Sequence, residues 1–282
     1  MRLISLGSSF AAGPGIAPQI DSDAGRSSNN YPNYFARKLG LDPTDPSQFL
    51  DLTVSSATLL NLISEPQDTG KKVYPPQVDL LPPLPAGDDG SDVIVTITGG
   101  GNDMFYIGSM FAYTLKHTLW GKILSYLVQT PEEKERLDHP TIATPDEISW
   151  RFTTLLDKIQ EKYPKATIYL VEYFAMMGPN TIGGRHVAWD QQQVQRYMET
   201  ADLLQRLYEK ASQGRSRVHV VPLAEESKQR HALGSMQPWV SDGSLWNFYK
   251  GGAFHPNETG MKAASEILFD FHTKLNPIKA LQ

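Results

Sequence analysis

Val93-Ile94-Val95-Thr96-Ile97, closed by Gly99-Gly100-Gly101, is a short β-branched run with no polar face, stopped by glycines. Such a run is the signature of a strand buried on both sides, as in a parallel sheet. Four further runs share its character. Leu3-Ile4-Ser5-Leu6 precedes it and stops at Gly7-Ser8-Ser9, and Phe49 to Val54 forms a second. Thr167 to Phe174 and Val218 to Leu223 follow it. Between the runs the apolar period changes to i, i+3, i+4, as in Leu203, Leu204, Leu207 and Tyr208, predicting helices over Tyr31–Leu39, Ser109–Leu127, Pro145–Tyr163, His186–Ser212 and Glu258–Leu275. Pro145 before Asp146-Glu147 suits a helix first turn, where a missing N–H costs nothing and carboxylates favour the dipole. Strand–helix alternation predicts an α/β fold, a three-layer α/β/α sandwich around a mostly parallel sheet of about five strands. The Pro-rich stretch from Pro66 to Asp92 forbids a long helix and reads as an ordered connection before the central strand, so residues 1–282 are expected to form one domain.

The composition narrows the function classes. The 282 residues carry 26 basic and 31 acidic side chains, a formal charge of −5, which gives no electrostatic reason to expect nucleic acid or stable membrane anchoring. No cysteine is present, which excludes disulfides, thiolate metal sites and a cysteine nucleophile. The seven histidines show no i, i+4 pair and no His-Glu-x-x-His run, so neither metal nor other cofactor is expected. No apolar run approaches the roughly 20 residues of a membrane helix. The N-terminus is too short for a signal-peptide core, which favours a soluble cytoplasmic protein and leaves secretion open where a leader has been removed.

In open parallel sheets the ligand crevice lies beyond the carboxyl ends of the strands. The segments there are Gly7-Ser8-Ser9…Gly13, Ser55-Ser56-Ala57-Thr58 and Gly100-Gly101-Asn102-Asp103, with Phe254-His255-Pro256-Asn257 ahead of the last helix. Hydrolysis of an acyl bond needs a nucleophile, a base in reach and donors aimed at the developing oxyanion. Ser9, His255 and Asn102 supply these residue types at positions a parallel sheet would converge. Each alone has an ordinary structural explanation, a helix cap, a turn donor or a tight turn; their joint occurrence carries the reading.

From Leu3 to about Leu275 the sequence resembles the SGNH (GDSL-type) hydrolases. The resemblance implies the flavodoxin-like fold of that family and a serine esterase. Gly7-Ser8-Ser9…Gly13 matches the first block, making Ser9 the nucleophile and its backbone N–H one oxyanion donor, with Ser8 in place of the usual aspartate. Gly100-Gly101-Asn102-Asp103 matches the third block, making the Asn102 amide another donor, and His255-Pro256 matches the last, making His255 the general base. The second block usually supplies a glycine N–H; here Ser56 occupies that position. The larger departure is Gly252, three residues before His255, where the family places an aspartate. A backbone carbonyl can fix the imidazole tautomer, so the Gly252 carbonyl is the expected orienting group and Asp242 the alternative. The expectation is a Ser–His dyad.

Residues 104–144 are expected to form a helical insertion bordering the cleft. Its apolar residues, Phe105, Tyr106, Met110 and Phe111 among them, read either as an acyl-binding wall or as a helix packed on the sheet. The substrate expected is a small-molecule carboxylic ester with a short to medium acyl chain. A lipase or phospholipase, a carbohydrate deacetylase, and a catalytically decayed binding module stand as alternatives, as does a glycosidase built on Glu172 and Asp103. Asn257-Glu258-Thr259 is formally a glycosylation sequon abutting His255, and its expected state is unused.

Overall fold

The computed structural model describes residues 1–128 and 131–277. Nine strands occur there: β1 (Arg2–Gly7), β2 (Gln19–Asp21), β3 (Arg26–Ser27), β4 (Phe49–Asp51), β5 (Gln67–Asp68), β6 (Val73–Tyr74), β7 (Val93–Thr98), β8 (Thr167–Val171) and β9 (Val218–Val221). Five of them form the central sheet in the order β4-β1-β7-β8-β9, and every pairing is parallel. All six residues of β7 are buried, as its unbroken apolar run requires of the middle strand. The β2/β3 and β5/β6 pairs are small antiparallel ribbons outside this sheet.

The helices are α1 (Ser9–Ala12), α2 (Tyr31–Lys38), α3 (Leu59–Ile63), α4 (Tyr106–His117), α5 (Leu119–Val128), α6 (Pro131–Asp138), α7 (Pro145–Lys162), α8 (Gln191–Ser212), α9 (Ala224–Glu226), α10 (Leu245–Tyr249) and α11 (Glu258–Leu275). α2 packs on α11, while α3, α7 and α8 pack in sequence on one another, which makes the three-layer sandwich.

Most boundaries follow local capping chemistry. Thr144 and Glu147 form a reciprocal capping box ahead of Pro145, and Asn30 caps α2 through Asn33. The helix expected over Ser109–Leu127 is two helices, because Thr118 leaves the helical conformation and its hydroxyl accepts the Gly121 N–H at 3.0 Å, capping α5. The helix expected from His186 begins at Gln191, where the Asp190 carboxylate accepts the Gln193 N–H at 2.8 Å. β4 stops at Asp51, whose Oδ1 takes the Thr53 N–H at 3.1 Å and the Thr53 hydroxyl at 2.6 Å, a side-chain turn that ends the strand before Val54. The Pro-rich stretch is ordered, and from it Gln77 reaches Gly7.

Candidate active site

The first segment of the site is set by the end of β1. Gly7 is clamped on both sides by the Gln77 amide, whose Oε1 accepts the Gly7 N–H at 2.8 Å and whose Nε2 donates to the Gly7 carbonyl at 3.0 Å. The Ser8 N–H donates to the Thr98 carbonyl at 2.9 Å, which carries the β1–β7 pairing one residue past the strand. Ser9 opens α1, a single turn closed by the Gly13 N–H onto the Ser9 carbonyl at 3.1 Å, and is 3% exposed.

The second segment turns sharply after Val54, whose N–H is bonded to the Gly7 carbonyl at 3.0 Å. The Ala57 N–H returns to the Val54 carbonyl at 3.2 Å, and Ser56, third residue of this turn, has φ +68°. That geometry is the one a type II turn asks of a glycine. The backbone position is thus retained although the residue is not glycine, at a strain on the order of 1 kcal/mol.

The third segment is tied to the second. Asn102 Nδ2 donates one hydrogen to the Ala57 carbonyl at 2.9 Å, which leaves its other N–H for a ligand. Asp103, 2% exposed, anchors the same loop: Oδ2 accepts the Leu59 N–H at 2.9 Å and Oδ1 takes Arg151 Nη1 at 2.7 Å. Burial pushes its carboxyl up, against the pull of Arg151. Glu172 is engaged elsewhere, accepting the Ala224 N–H at 3.0 Å, and burial raises it to about 7. Each of these two carboxylates is committed to its own backbone amide, which gives the glycosidase alternative no support.

The imidazole of His255 lies between aromatic rings, with centroids 5.9 Å from Phe10 and 6.0 Å from Phe111 of α4. Its Nδ1 is 2.7 Å from the carbonyl of Ala253. A carbonyl only accepts, so Nδ1 carries the proton and Nε2 is the free base nitrogen. The orienting group thus differs from the expected Gly252 carbonyl, which accepts the His255 backbone N–H instead, at 3.2 Å. The reason is a turn at Phe254, whose φ of +55° points carbonyl 253 back at the ring. Asp242 is occupied away from the imidazole, accepting the Ser244 N–H at 3.1 Å and Asn247 Nδ2 at 2.6 Å. Burial drives the His255 pKa down to about 4, which the Ala253 carbonyl only partly offsets.

Gly252 also makes the junction between the Ser9 and His255 segments. A Cβ built on Gly15 would stand 2.8 Å from the Gly252 Cα, and one on Gly252 would stand 3.3 Å from the Pro14 carbonyl oxygen. The main chains of the two segments touch here, so a side chain at position 252 would press on the Pro14 carbonyl. The sequon residue Asn257 is engaged too: Nδ2 donates to the Pro238 carbonyl at 2.7 Å, and Oδ1 accepts the Gly260 N–H at 2.9 Å. Gln77 is a support the sequence did not signal, since it lies in no recognisable motif. Among the described residues no cluster of three or more His, Asp or Glu side chains is placed to hold a metal ion, and no helix is long and apolar enough to cross a membrane.

Two solved structures resemble this architecture along its length. An extracellular lipase from Streptomyces rimosus superposes with a TM-score of 0.63 at 18% identity, covering 96% of this chain and 99% of the lipase. Phospholipase A1 from Streptomyces albidoflavus NA297 gives 0.63 at 17% identity, covering 95% and 98% of the two chains. At such identities the likeness concerns the fold. Among curated protein sequences none matches. The model of the GDSL-like lipase/acylhydrolase family matches residues 5–263, nearly the whole chain including all four segments of the site. The chain therefore belongs to the GDSL-like lipase/acylhydrolase family and is a carboxylic ester hydrolase.

Proposed function

We propose that the protein is a serine esterase acting on short- to medium-chain carboxylic esters through a Ser9–His255 dyad and an acyl-enzyme. Ser9 Oγ attacks the ester carbonyl while His255 Nε2 takes its proton, and the imidazolium keeps its Nδ1–H on the Ala253 carbonyl. The oxyanion receives the backbone N–H groups of Ser9 and Ser56 and the Asn102 N–H not used by Ala57. His255 then returns the proton to the departing alkoxide. Water repeats the sequence on the acyl-enzyme, and Ser9 leaves.

The observation that carries this reading is the state of His255: a buried, neutral ring with Nδ1 spent on the main chain, set against the side chain that follows Ser9. A fluorophosphonate probe tests it. Labelling of the protein that is lost in Ser9→Ala supports the dyad, and labelling that survives this substitution, or none in the native protein, overturns it.

A second reading, a lipase or phospholipase, is favoured by one surface feature. Leu119, Ile123 and Tyr126 of α5 are more than half exposed, as are Trp246 and Tyr249 of α10. Trp120 packs on Phe248, and Phe248 on Phe111 beside His255, so this apolar skin adjoins the site. An acyl-length series of chromogenic esters separates the readings. Preference beyond about ten carbons selects a lipid substrate, and acetate preference selects a small-ester or deacetylase role.

A further inference from the structure

Tyr173 follows β8, the strand beside β7, and its side chain extends past the end of β7 to the end of β1. Its hydroxyl is hydrogen-bonded to the Ser8 hydroxyl. Its ring stacks on Phe10 with centroids 4.2 Å apart. A Cβ on Gly101 would stand 2.4 Å from Tyr173 Cε1, so the glycine exists to let the phenol in. One side chain therefore touches residues 8 and 10 on either side of Ser9, and residue 101 next to Asn102.

The same contacts explain the departure at position 8. Ser8 is 0% exposed and Tyr173 5% exposed. An aspartate there would bury a carboxylate without a cation, a cost a neutral hydroxyl avoids. Desolvation also raises the phenol pKa, so it stays protonated and keeps a hydrogen to donate.

We propose that Tyr173 is a positioning residue for ester hydrolysis, its hydroxyl holding Ser8 while its ring lodges against Gly101, and so fixing the attacking oxygen of Ser9 against the oxyanion donor Asn102. This rests on the dyad proposed above. Tyr173 touches neither substrate nor base; it holds two loops whose relative placement decides how well the tetrahedral oxyanion meets its donor. Misplacement on the order of 1 Å can cost about a hundredfold in rate.

Tyr173→Phe is the discriminating variant, because it keeps the ring on Phe10 and removes only the hydroxyl. The expected result is a ten- to hundredfold lower kcat with KM within about twofold, and fluorophosphonate labelling slowed by a similar factor. In an Asn102→Ala background the same substitution should cost less than threefold, since the donor it positions is gone. Ser8→Ala removes the other end of the bond and carries the same expectations should Tyr173→Phe fail to fold. An unchanged kcat, a loss confined to KM, or losses at 173 and 102 that multiply in full would overturn the proposal. Hydrolysis that persists in Ser9→Ala would overturn the dyad and this inference together, whereas a dead Ser9→Ala beside a fully active Tyr173→Phe would overturn this inference alone.

Discussion

As the proposed general base, a buried imidazole without a carboxylate partner has a specific pH signature. The ordinary histidine value is 6.5, and burial takes His255 to about 4, with the Ala253 carbonyl the one group opposing the shift. That difference corresponds to roughly 3 kcal/mol of extra cost for charging the ring inside the protein. The ring therefore stays neutral, and competent as a base, well into acid. The kcat/KM for an uncharged chromogenic ester, which reports the free enzyme, should be flat from pH 8 down to about 5 and fall with a midpoint near 4. Folding stability carries the same signature. The unfolded chain takes up the proton at 6.5 and the folded one only near 4, so stability is complete above 6.5 and declines through this window as the pH falls. Measuring urea unfolding at each pH separates ring protonation from acid unfolding. Glu172, which ionises near 7, is the group most able to imitate a histidine, so the profile should be repeated in Glu172→Gln. An acid limb centred at 6.5 to 7 that survives Glu172→Gln would refute the reasoning, because it would require a negative charge beside the imidazole.

Asn102→Ala should lower kcat by about 10²–10³, and a loss of only a few-fold in steady-state assays would remove the amide from the oxyanion site. Ser56→Gly should keep kcat within about threefold, because only a backbone N–H is required there, and relief of the +68° φ should offset the entropy glycine gains when unfolded. Thermal unfolding within about 1 kcal/mol of the native protein checks the second half, and a hundredfold activity loss would give the Ser56 hydroxyl a role of its own. Asp103→Asn strands the Arg151 guanidinium, whose side chain is 15% exposed, and should cost about 3 kcal/mol in urea unfolding. A loss below 1 kcal/mol would show the pair to be dispensable for anchoring the Asn102 loop.

What the sequence revealed was what local chemistry encodes. The β-branched runs, the glycines after β7 and the Thr144–Glu147 cap act over a few residues and are visible in one dimension. The break at Thr118 is local too, yet a threonine inside an apolar stretch has no distinctive pattern until its hydroxyl is seen on the Gly121 amide. The choice between carbonyls 252 and 253 turned on a positive φ at Phe254, a conformation that bulky residues rarely adopt and no motif announces. Gln77 and Tyr173 were hidden for another reason. Gln77 lies 70 positions along the chain from Gly7, and Tyr173 lies 165 from Ser8, so both contacts exist only once the sheet has assembled.

The acceptor that steers the imidazole belongs to the peptide backbone. In a triad the corresponding oxygen sits on a side chain, and one nucleotide change can delete it. Here no exchange of one amino acid for another can take the oxygen away, since every residue at position 253 brings its own. The vulnerability moves to chain length: an insertion or deletion between Gly251 and His255 would rotate the carbonyl out of reach. Over evolutionary time such an arrangement trades electrostatic strength for resistance to point mutation, and its lineage should tolerate drift at position 253 while guarding the spacing of the turn.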